Sequence, residues 1–202
     1  MNSKKIKFLS VLCIAVFFQS CVTKPPENPD NICLIFKEKR SWYKAVMRSE
    51  KRWKIPPYVL MSFVYQESSF KSDARPERDK LLGFIPWFRP STAVGYSQAL
   101  TMTWDDYKDE TGNKLATRTR FKDSVDFIGW YTNKTNSILK ISKNDVFKQY
   151  VAYHEGWGNY KNYKKNKKII DLAKRVEKQS DLYKKQLLEC QNQLNKNKYI
   201  IF

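Results

Sequence analysis

The first residue in this sequence placed to do chemistry is a glutamate at the end of an apolar run. In Val64-Tyr65-Gln66-Glu67-Ser68-Ser69-Phe70, Glu67 follows Val64 by three residues and Phe63 by four. A helix would therefore aim it along an apolar face. Two effects then act on its proton. Burial disfavours the charged form, and the negative end of the helix dipole disfavours it again. A carboxylic acid held protonated near neutral pH can donate to a leaving oxygen, which is what a glycosidic bond needs before it breaks. The other reading is a glutamate turned to solvent at a fraying helix end, and this short word alone does not decide between them.

The elements that must position Glu67 are helical. Pro56-Pro57 suit a first turn, and Val59, Leu60, Phe63, Val64 and Glu67 form a stripe behind them. An earlier stripe runs through Trp42, Ala45, Val46, Ser49 and Trp53. Thr103 is placed to cap a further helix that stops at Gly112. Asp123 is placed to cap the next, with Phe127, Ile128, Tyr131, Thr135 and Ile138 on one face, and Asn144 opens another, with Phe147, Tyr150, Val151 and His154 inward and Gly156 at its end. A long last helix carries Ile169, Ala173, Val176, Ser180, Tyr183, Leu187, Cys190 and Leu194 in steps of three and four, which makes one seam. The fold class is mainly α. Between Arg75 and Thr92 lies an irregular stretch with three prolines and the aromatics Phe84, Trp87 and Phe88. Loops of that length are often functional, so these rings either stack on a ligand or form a small satellite core.

The N-terminus reads as an export signal. Lys4, Lys5 and Lys7 precede an apolar run from Phe8 to Phe18. That run is too short to span a bilayer as a permanent helix. Phe18-Gln19-Ser20-Cys21 resembles a lipobox, in which the signal is cut before a cysteine that takes lipid, although Phe18 stands where Leu is usual. Ordinary cleavage and an uncleaved anchor are the alternatives. Val22 is not the Asp associated with inner-membrane retention in such lipoproteins, which favours the outer membrane, facing the periplasm. A Pro-rich polar tether follows. Of four cysteines, Cys13 leaves with the signal and Cys21 carries lipid. Cys33 and Cys190 remain, either as two buried thiols or, as an oxidising compartment favours, as a disulfide.

Formal net charge is +18, and residues 161–202 hold 12 Lys and Arg against four Asp and Glu. Export argues against nucleic acid as the partner of this charge. Anionic head groups, an acidic wall polymer or a plain solvated face remain. His154 is the only histidine, and no cysteines sit at ligand spacing, so neither a metal nor a cofactor is expected.

Two further motifs follow Glu67. Gly95-Tyr96-Ser97-Gln98-Ala99 precedes Trp104, and Ala152-Tyr153-His154-Glu155-Gly156-Trp157-Gly158-Asn159-Tyr160 comes later. In this order the three motifs resemble the soluble lytic transglycosylase domain of the goose-type lysozyme-like superfamily, across about residues 55 to 165. The resemblance implies a lysozyme-like helical domain with a substrate groove, here extended by a long C-terminal helix. It implies the activity too: cleavage of the β-1,4 bond between N-acetylmuramic acid and N-acetylglucosamine in peptidoglycan glycan strands. The muramoyl 6-hydroxyl closes on its own anomeric carbon, leaving a 1,6-anhydro end. It makes Glu67 the sole acid and base, sets Gln98 beside it, and lets Tyr153 position the sugar. Ser68, Tyr96, His154, Glu155 and Tyr160 join Gln98 and Tyr153 as candidate substrate contacts. Two departures stand out: many relatives have Met where this chain has Ser97, and Asn-Ala where it has His154-Glu155.

One carboxylate suffices for such a reaction, because an intramolecular hydroxyl is already in place. The hydrolytic alternative, a muramidase, would use Glu155 or Asp73 to activate water. A non-catalytic wall-binding lipoprotein and a basic membrane-surface protein are the other readings. The expected organisation is a signal over 1–20, a lipidated Cys21 and tether over 21–32, and a domain over 33–202 whose basic last helix covers 166–195.

Overall fold

The computed structural model describes residues 23–78, 80–81, 85–86 and 91–196. The signal segment, Cys21 and the rings of Phe84, Trp87 and Phe88 lie outside them. Seven α-helices are described: α1 (Ile32–Glu38), α2 (Arg40–Trp53), α3 (Pro57–Ser68), α4 (Thr101–Thr111), α5 (Phe121–Leu139), α6 (Val146–Glu155) and α7 (Lys167–Lys196). A 3-10 turn spans Tyr160–Lys165. The stretch read as irregular holds a small antiparallel ribbon, β1 (Lys80–Leu81) with β2 (Ile85–Pro86), paired Lys80 to Pro86 and Leu81 to Ile85. None of the described helices is long and apolar enough to cross a membrane.

Central α3 is apolar nearly all round. Val59, Leu60, Met61, Phe63 and Val64 are all fully buried, as a helix enclosed by its neighbours requires. It packs against α2, α5 and α7. The last helix, about 45 Å long at the standard rise, lies along α1, α3 and α6. Its buried residues are the eight of the expected seam, Ile169 to Leu194. A disulfide joins Cys33 in α1 to Cys190 in α7, with Cα atoms 6.1 Å apart. Gln186 adds a polar clip, accepting from Ile32 N at 3.0 Å and donating to Asp30 O at 3.1 Å. Asn31 caps α1 by accepting from Cys33 N and Leu34 N.

Helix starts differ from the sequence expectation. The α4 helix begins at Thr101, not after Thr103, because Thr92 Oγ1 accepts from Thr101 N at 3.1 Å and does the capping from a neighbouring loop. Asp123 is not a cap: α5 starts at Phe121, and buried Asp123 reaches back to accept from Thr117 N at 2.9 Å and Arg120 Nε at 2.5 Å. Asp145, one residue after Asn144, caps α6 by accepting from Lys148 N. Ile138, expected inward, is 49% exposed in the last turn of α5.

Candidate active site

Glu67 stands in the last turn of α3, and the way that helix ends decides where it points. Ser69 and Phe70 both adopt left-handed backbone, at φ 48° and 62°. For a bulky residue that conformation is strained. Phe70 is held there by complete burial, stacked on Tyr65 with ring centres 5.5 Å apart and tilted against Trp42 at 5.7 Å. The "ESSF" word is thus an apolar anchor that stops the helix directly after its carboxylate. Ser68, expected to touch substrate, is buried and donates to Val64 O at 3.0 Å, so its hydroxyl is spent on its own helix.

The second motif is a tight turn between Val94 and Ala99, which form an isolated bridge. Gly95 makes it feasible. Its φ is 77°, and a Cβ there would lie 2.0 Å from Arg118 O. Three residues on, Gln98 also has positive φ, at 46°. Its amide donates to Ala74 O at 2.9 Å and to Gly95 O at 2.8 Å, which leaves its carbonyl oxygen available to the cleft. Arg118 locks the approach by donating to Thr92 O and Ala99 O. Tyr96, expected at the groove, is instead 1% exposed and packs edge-on to Trp42 and Phe121. The turn sends neighbouring side chains in opposite directions, and Tyr96 takes the core side.

The third motif closes α6. Tyr153 donates to Ser97 O at 2.6 Å, tying the third motif to the second. Tyr150, one turn earlier, donates to Glu67 Oε1 at 2.7 Å. Both phenols are pushed well above their ordinary value, first by burial and then by the Glu67 charge beside them, so both stay protonated donors. Phe63 meets both rings edge-on.

The three motifs meet at a cleft of about 420 Å³. Glu67, Gln98, Tyr153, His154, Glu155 and Gly156 line it, with Ala93, Leu100, Phe127 and Tyr131. The structure therefore brings Glu67, Gln98, Tyr153, His154 and Glu155 together. It leaves out Ser68, Tyr96 and Tyr160; the last sits in the 3-10 turn against Tyr163, with ring centres 5.4 Å apart. Asp73 is exposed and does not line the cleft. Trp157 stacks on Tyr131 and donates to Thr135 Oγ1, so it packs rather than faces a ligand.

The two cleft carboxylates differ. Glu67, partly buried, has its pKa raised to about 7, chiefly by burial; the Tyr150 hydrogen bond and then the His154 charge oppose the shift. Glu155 is netted by polar groups: His154 Nδ1 lies 3.0 Å from Oε1, Asn159 donates to Oε2 at 3.2 Å, and Asn166 reaches Oε1 at 3.5 Å. No cluster of three or more His, Cys, Asp or Glu able to hold a metal occurs among the described residues.

Tyr150 is the hydrogen-bond partner of Glu67 that the motifs did not supply. Its inward position on α6 was legible, but its contact with Glu67 spans 83 residues of sequence. Compared with known proteins, residues 9–190 match the family model described as Transglycosylase SLT domain. No curated protein matches the chain.

Proposed function

The chain belongs to the transglycosylase SLT domain family, and from that premise we propose that it is a peptidoglycan lytic transglycosylase with Glu67 as its single general acid and base. One observation carries this reading: a partly buried carboxyl on the cleft wall, raised to about 7, with one oxygen held by Tyr150. In its neutral form Glu67 gives its proton to the glycosidic oxygen between N-acetylmuramic acid and N-acetylglucosamine. The bond from the anomeric carbon to that oxygen breaks, and the oxygen leaves as the 4-hydroxyl of the glucosamine unit. Glu67, now a carboxylate, takes the proton of the muramoyl 6-hydroxyl as that oxygen bonds to the anomeric carbon. No water is consumed, and Glu67 ends as it began. A pKa near working pH suits a group that must both give and take a proton.

The surroundings support the assignment of roles. Tyr150 fixes the carboxyl rotamer and eases formation of the carboxylate halfway through. Gln98, with its amide nitrogen committed to backbone carbonyls, offers an acceptor to a sugar hydroxyl or amide. Tyr153 ties the second and third motifs together so that the sugar meets a fixed wall. Glu155 is turned into a net with Asn159, Asn166 and His154, which suits a wall residue better than a base for water.

We place this activity in the periplasm, with Cys21 lipidated and the enzyme held at the outer membrane. The basic start, the short apolar run and the cysteine that ends it support the anchor. The Cys33–Cys190 bond fits an oxidising compartment. The test is the mass of the muropeptides released from purified peptidoglycan by the chain from Cys21 onward. Anhydro ends from the wild type, absent with Glu67→Gln, are expected. Reducing ends, heavier by one water, would turn the assignment to a muramidase.

A further inference from the structure

Away from the cleft, α2 presents an outer face of unpaired cations. Arg40, Lys44, Arg48 and Lys51 recur at steps of four, four and three, which puts them on one side of the helix. The buried residues Trp42, Ala45, Val46 and Ser49 occupy the other. None of the four cations is ion-paired with a carboxylate among the described residues. The single acidic residue of α2, Glu50, is partly buried and does not line this surface. The four cations rim a cleft of about 510 Å³ whose floor is Tyr43 and Met47 and whose end is closed by Asn195 of α7. Tyr43 donates to Asn195 Oδ1 at 2.6 Å, and the Arg40 guanidinium lies over the Tyr43 ring, so the floor is rigid.

This face adjoins the point where the chain leaves the fold toward its N-terminus. Thr23, the first described residue, lines a neighbouring cleft with Arg48, Arg120 and Lys122. Arg48 borders both clefts. Cys21 lies two positions before Thr23, with Val22 alone between them, a reach of about 7 Å in a fully extended chain. If Cys21 carries lipid, as proposed above, the α2 face cannot be far from a bilayer surface.

We infer that the α2 face, Arg40, Lys44, Arg48 and Lys51 around Tyr43 and Met47, is a docking surface for anionic phospholipid head groups. It would orient the enzyme on the membrane that its anchor reaches. Cations outside a Debye length from a surface contribute little; the short link from Thr23 to Cys21 would hold the face near that surface at Arg48, which shares a cleft with Thr23. Clustered Lys and Arg close to an anionic leaflet add their attractions. The apolar floor lets the rim approach closely while the charged heads keep their water.

Vesicle flotation tests this with the unlipidated chain from Cys21 onward, which contains every described residue. The vesicles are phosphatidylethanolamine with 30% phosphatidylglycerol, against phosphatidylcholine alone. One variant carries Arg40→Gln, Lys44→Gln, Arg48→Gln and Lys51→Gln. A second loses four cations from α7, through Lys174→Gln, Lys178→Gln, Lys184→Gln and Lys185→Gln. The wild type is expected to float with the anionic vesicles only. The α2 variant should bind at least about tenfold more weakly, and the α7 variant within about twofold of wild type, although both have the same net charge. Equal losses in both variants would overturn the inference in favour of plain net charge. So would failure of the wild type to float, or its binding to soluble polyglutamate in preference to vesicles. Circular dichroism and muropeptide release in solution, expected to be unchanged in the α2 variant, show that it is folded and separate this outcome from failure of the enzymatic reading.

Discussion

The end of α3 and the seam between α1 and α7 solve opposite problems. At the seam the chain is regular. Asn31 caps α1, eight residues of α7 are buried in helical register, and a disulfide ties positions 157 residues apart. At the end of α3 the chain is contorted. Three of the five non-glycine residues with positive φ among the described residues, Ser69, Phe70 and Gln98, lie within the first two motifs. A carboxyl sits there in a setting that penalises its charge. Strain and desolvation of this kind persist only where the surroundings over-determine them. The stapled, close-packed seam behind α3 is what can hold such an arrangement still.

The comparison predicts a clean division between activity and stability. Its largest expected consequence is at Glu67. Glu67→Gln should lower kcat/KM on peptidoglycan by about 1,000-fold or more, with the fold intact; residual activity above a few per cent would contradict a single acid and base. Next is the staple. Replacing Cys33 and Cys190 together by Ser should cost about 2 to 5 kcal/mol of stability in urea unfolding, while activity per folded molecule stays within about twofold. A large fall in kcat at full folding would mean that the seam shapes the cleft directly.

A third prediction joins the two regions. The folded pKa of Glu67, about 7, lies above its unfolded value. The folded state therefore holds the proton more tightly, and stability from this group is present at low pH and lost as pH rises from about 4.5 to about 7. Glu67→Gln removes the loss. The variant should be more stable than wild type by about 2 kcal/mol at pH 8, because part of the full linkage is offset by the solvent Glu67 still meets. Near pH 4 the two should unfold together. A constant difference across this range would show that charge is not its cause.

The smallest expected effect belongs to Tyr150. Its hydrogen bond lowers the Glu67 pKa against burial, so Tyr150→Phe should move the alkaline limb of the kcat/KM profile to higher pH. It should also cost about tenfold in rate through lost orientation. A limb that stays put, with the same loss of rate, would leave Tyr150 as packing alone.

Much of this architecture can be read from side-chain spacing. The eight-residue seam of α7 and the stripe of α3 follow from apolar residues in helical steps, because burial of a helix face needs nothing else. The position of Glu67 on that stripe follows too. What could not be read depends on backbone turns and on distant partners. Tyr96 and Gln98 are two residues apart in one motif, yet one enters the core and the other the cleft, because Gly95 and Gln98 both take left-handed backbone. Ser68 lies beside Glu67 but is bonded back to Val64. The α4 cap comes from Thr92, nine residues away, and the partner of Glu67 comes from α6.

The central claim is that this fold keeps the Glu67 carboxyl protonated close to neutral pH. Carbon-13 labelling of glutamate side chains, with Glu67→Gln to assign the signal, allows that carboxyl to be titrated by NMR. A midpoint near 7, moving upward in Tyr150→Phe, is the predicted result. A midpoint near the ordinary glutamate value, about 4.3, would contradict the account, because Glu67 would then be a carboxylate with no proton to give.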